Sequence, residues 1–77
     1  MNKNQKAAFA DDLLKLFKKL DRLEEREKTD VVENQMKLVF ARIDTFNRAL
    51  SLFGYFPKVY VGMDGLTESV EILKREG

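Results

Sequence analysis

The chain contains neither cysteine nor histidine, so any chemistry falls to its carboxylates, hydroxyls and cations. Asp11-Asp12 and Glu24-Glu25-Glu27 are residue types that hold hard divalent cations in helical enzymes that hydrolyse phosphate esters or nucleotides. Such a site needs several carboxylates converging on an enclosed cavity. Here the acids alternate with Lys and Arg on charged helix surface and are read as solvated, so no metal and no cofactor is expected. Thr29, Thr45, Ser51, Thr67 and Ser69 lie in no nucleophile motif and have no recognisable activating base. A glycine-rich phosphate loop is absent, as is the usual general base, histidine. The chain is read as non-enzymatic.

Binding chemistry is better represented. Lys15, Lys18, Lys19, Arg22 and Arg26 project to one side of a helix, away from its apolar seam, and could follow a phosphate backbone. Asp11 and Asp12 dilute that stripe, and a charged outer face is ordinary for an amphipathic helix. Non-specific nucleic-acid binding is therefore the alternative function. Half of the eight aromatic residues, Phe53, Tyr55, Phe56 and Tyr60, cluster in LFGYFPKVYVG, residues 52–62. Aromatics of this kind either plug a core or anchor an interface, tyrosine being suited to the latter by its apolar ring and polar tip. Together with Arg42, which projects between two apolar faces of its helix, they form the expected partner-binding set.

Two helical patterns must position these residues. Phe9, Leu13, Leu16, Leu20 and Leu23 recur at spacings of 4, 3, 4 and 3, which predicts a first helix over residues 4–27. After a polar gap, Val32, Met36, Val39, Ile43, Phe46, Leu50 and Phe53 predict a second over 31–53. Asp30 and Glu33 form a capping-box-like start, and Gly54 supplies the left-handed stop. The two stripes are out of phase across a short connection, so an antiparallel hairpin is expected. Pro57 and the alternation in Lys58-Val59-Tyr60-Val61 predict an extended segment over 55–63. Asp64-Gly65 marks a turn, and Leu66, Val70 and Leu73 at spacings of 4 and 3 predict a short third helix over 66–75.

The expected fold is thus all-α: a coiled-coil-like antiparallel two-helix hairpin, an aromatic connecting segment and a short C-terminal helix, in one small domain of 77 residues. A core of that size is marginal alone. The second helix also carries another apolar line, Val31, Leu38, Ala49 and Leu52 with Ala41 beside it, which the first helix cannot cover. These features lead to a small interaction or regulatory protein that works as a homodimer through helix 2, with a further protein partner unidentified. A net charge of +1 gives no global attraction to nucleic acid or membrane. With no signal-peptide pattern and no long apolar run, a cytoplasmic location is expected.

Overall fold

A computed structural model describes residues 1–76. Helix α1 spans Lys3–Glu24. It begins at a reciprocal capping box: the Asn2 side chain accepts from the Gln5 N–H at 2.8 Å, and the Gln5 side chain accepts from the Asn2 N–H at 3.0 Å. Its buried seam is Leu13, Leu16, Leu20 and Leu23, and it stops where the apolar residues stop.

Helix α2 spans Asp30–Leu52 and runs back antiparallel to α1, burying Val32, Val39, Ile43 and Leu50. Thr29 is its cap, its hydroxyl accepting from the Val32 N–H at 3.3 Å, which leaves Asp30 and Glu33 as first-turn acids favoured by the helix dipole. Phe9 and Phe46 meet edge to face with ring centroids 5.7 Å apart. Gly54, at φ 82°, turns the chain out of α2.

The all-α expectation is overturned from this point on. Residues Tyr55–Val61 form strand β1, and Thr67–Lys74, expected as a third helix, form strand β2. They pair antiparallel, from Tyr55 opposite Lys74 to Val61 opposite Thr67, giving an α+β fold of two helices and a two-stranded sheet. Strand pairing wins because a ten-residue helix is marginal in water, whereas Thr67, Val70 and Ile72 are β-branched and have a ready partner in β1. Glu68 is the extra residue of a bulge, since Tyr60 faces Ser69 while Val61 faces Thr67. Gly65, at φ 81°, closes the hairpin loop by donating to the Gly62 carbonyl at 3.0 Å.

The sheet lies against one side of the helix pair, β2 along α1 and β1 against α2. Tyr55 and Ile72 are buried in the same core as the helix seams, with Val70 packed beside them. Polar ties reinforce this arrangement: the Thr67 N–H donates to Asp21 Oδ2 at 2.8 Å, anchoring the start of β2 to the last turns of α1, and the Met1 ammonium donates to the Tyr55 hydroxyl at 3.3 Å. The helices therefore have one side under the sheet and the other open.

Candidate functional site

The residues expected to bind a partner do not share one surface. Tyr55 is 9% exposed and sits in the core, with Lys6 Nζ 5.1 Å from its ring centroid. Phe53 is exposed at the end of α2. Phe56 and Tyr60 alternate with the inward-facing residues of β1 and so lie on the outer face of the sheet, Phe56 opposite Leu73 and Tyr60 opposite Ser69. There the Tyr60 hydroxyl donates to Glu71 Oε2 at 2.7 Å, and Lys58 Nζ stands 5.2 Å from the Tyr60 ring centroid. The hydrogen bond to Glu71 is the main reason the Tyr60 hydroxyl is pushed above the usual tyrosine range, with slight desolvation and the Glu71 charge adding in the same direction. Arg42 is on the opposite side of the molecule, on the open face of the helices.

That open face holds most of the basic stripe. Between α1 and α2 runs a shallow groove of about 500 Å³, walled by Lys15, Lys19 and Arg22 from α1 and by Arg42 from α2, over a floor of Leu16 and Phe46. It continues toward the helix connection past Gln35 to Arg26. Lys18 is turned away from it, into a depression beside Asp21, Glu25, Asp64 and Glu68 at the hairpin loop, which Arg22 also borders. Among the described residues the one ion pair is Arg48 with Asp44, 3.0 Å apart on the surface of α2, so none of the groove cations is neutralised by a salt bridge. Asp12 is the one acid along the groove, at its far end.

Bordering the groove at Leu38 and running along the outer flank of α2 is a second feature. Leu38 and Leu52 are 66% and 87% exposed, and between them lie Ala41, Thr45 and the half-buried Ala49. Successive steps of 3, 4, 4 and 3 residues put all five on one stripe. Val31, 66% exposed, extends it by one heptad. The Thr45 hydroxyl donates to the Ala41 carbonyl at 3.0 Å, so the middle of the stripe presents no unmet donor. The apolar line of α2 is visible in the sequence, but Thr45 is not legible as part of it, since its hydroxyl looks polar until its partner is known.

Among the described residues no three His, Cys, Asp or Glu side chains are grouped so as to hold a metal ion. No described helix is long and apolar enough to cross a membrane. No protein-family model, curated protein or solved structure matches the chain.

Proposed function

We propose that the protein is a small non-enzymatic interaction protein that acts in the cytoplasm as a homodimer, its two copies meeting along the outer flank of α2. The observation that carries this reading is the exposed stripe Leu38, Ala41, Thr45, Ala49 and Leu52. It is self-complementary. A two-fold axis through Thr45 of antiparallel α2 helices sets Leu38 against Leu52 of the second copy and Ala41 against Ala49, so large residues close both ends and small ones let the backbones approach. The size of the chain favours the same occupant: ten residues make up the buried core, few enough that a second copy adds stability the monomer lacks. Opposite charges flank the stripe at Asp44 and Arg48, and a net charge of +1 offers little repulsion between copies.

Sedimentation equilibrium across a micromolar range tests it. The wild type is expected to be a dimer at both low and high salt, because an apolar seam is not screened. Leu38→Glu places a carboxylate in that seam and shifts the equilibrium to monomer without touching the core, Leu38 being exposed. A wild-type monomer at tens of micromolar, or a Leu38→Glu protein as dimeric as its parent, overturns the reading.

A further inference from the structure

We propose that the groove between α1 and α2 binds the phosphate backbone of nucleic acid, independently of sequence. Lys15, Lys19 and Arg22 follow one another at 4 and 3 residues along the α1 wall, a row of about 10 Å at the helical rise, and Arg26 stands two residues past the end of α1. Arg42 faces them from α2, and Gln35 adds an amide donor. All five cations are exposed, and among the described residues none is held in an ion pair. In a chain of net charge +1 this is a local concentration of positive charge, with Asp12 the one carboxylate along the groove. Three of the five are arginines, whose planar fork suits paired contacts to phosphate oxygens.

The chemistry of the walls favours phosphate over an acidic protein segment. A partner helix would need apolar grip on both sides, yet every exposed residue from Lys15 to Arg26 is charged. The apolar flank that α2 does offer, the stripe of Leu38, Thr45 and Leu52, meets the groove only at Leu38 and has no apolar counterpart on the α1 wall. A nucleic-acid strand needs only cations at a suitable pitch. Five cations, each meeting one phosphate, give about five contacts. Phe46, the aromatic in the groove, is half-buried and engaged edge to face with Phe9, so it offers no free ring for a base to stack on. Contacts are thus to the backbone, which carries no sequence information.

The test is fluorescence anisotropy of a labelled 20-nucleotide single strand titrated with the full chain from 50 to 300 mM NaCl. About five phosphate contacts give a slope of about −3.5 in log K against log salt, or about a hundredfold loss of affinity between 50 and 200 mM. Replacing Lys15, Lys19 and Arg22 by Gln is expected to flatten that slope by about 2, and Arg42→Gln alone to flatten it by less. Lys3→Gln with Lys6→Gln, outside the groove, should leave it unchanged. All these side chains are outside the buried core, so circular dichroism should show the parent fold. No binding at 50 mM salt, a slope near zero, or a triple variant that binds like the wild type overturns the proposal. So does displacement of the strand by polyglutamate as effectively as by unlabelled strand, which would make the groove a site for acidic protein.

Discussion

At the scale of single residues, the pair Tyr60 and Glu71 makes the sharpest chemical prediction. The tyrosine donates its proton to a carboxylate, and losing that proton would cost the hydrogen bond and set two anions side by side. Its pKa therefore lies above the ordinary 10.0. An unfolded chain gives up the proton near 10, so above that pH the folded state holds more protons. The pair's contribution is complete below pH 10 and is lost as pH rises through the higher folded value. Both side chains are exposed, so the effect is better read by titration than by stability. Glu71→Gln keeps an acceptor but removes the charge, and the tyrosinate absorbance of Tyr60 should then appear at lower pH. Tyr60→Phe identifies the transition by deleting it, leaving Tyr55 as the remaining tyrosine. An unmoved transition in Glu71→Gln would mean that Glu71 is not what holds the Tyr60 proton.

At the scale of elements, the helices were legible because each repeats its apolar spacing over several turns, and a pattern of that length has one regular solution. The second half of the chain was not. Leu66, Val70 and Leu73 match a helical face by accident of number: the strand alternation that runs through Val70 and Ile72 is broken upstream by the Glu68 bulge, so period 2 never shows itself over more than a few residues. The better signal was joint. Val59-Tyr60-Val61, a loop with Gly62 and Gly65, and β-branched Thr67, Val70 and Ile72 together describe a hairpin, although neither strand is convincing alone. The junction between the two halves rests on Gly54. At φ 82° any other L-residue is strained, and a Cβ there would meet nothing within 4 Å, so the cost is backbone alone. Gly54→Ala is expected to lower unfolding free energy by about 1–2 kcal/mol in urea titrations. A change within error would mean that the α2–β1 junction relaxes to another conformation at no cost.

At the scale of the whole molecule, the sheet is what divides the surface. By covering one side of the helix pair it buries Tyr55, sends Phe56 and Tyr60 to its own outer face, and leaves Arg42 on the opposite side, so an aromatic cluster contiguous in sequence is scattered in space. No spacing argument could see this, because it depends on a strand pairing fixed by residues well downstream. The basic row fared better: Lys15, Lys19 and Arg22 lie on one flank of α1 whatever else packs and Arg26 follows just past the helix end, while Lys18 faces only the depression at the sheet, which Arg22 also borders. On the open side the groove and the stripe of α2 adjoin, Leu38 standing beside Arg42 and Lys19 at their common border. The dimer along that stripe can be tested covalently, because the chain has no cysteine of its own. With a two-fold axis at Thr45, Thr45→Cys brings two thiols within the separation of about 4.4–6.8 Å between Cα atoms that a disulfide requires. Mild oxidation should convert that variant to a covalent dimer. Asn47→Cys, equally exposed but on the sheet side of α2, should stay largely monomeric on a denaturing gel. If both crosslink at the same slow rate, collisions rather than a seam bring the copies together, and the dimer through α2 fails with them.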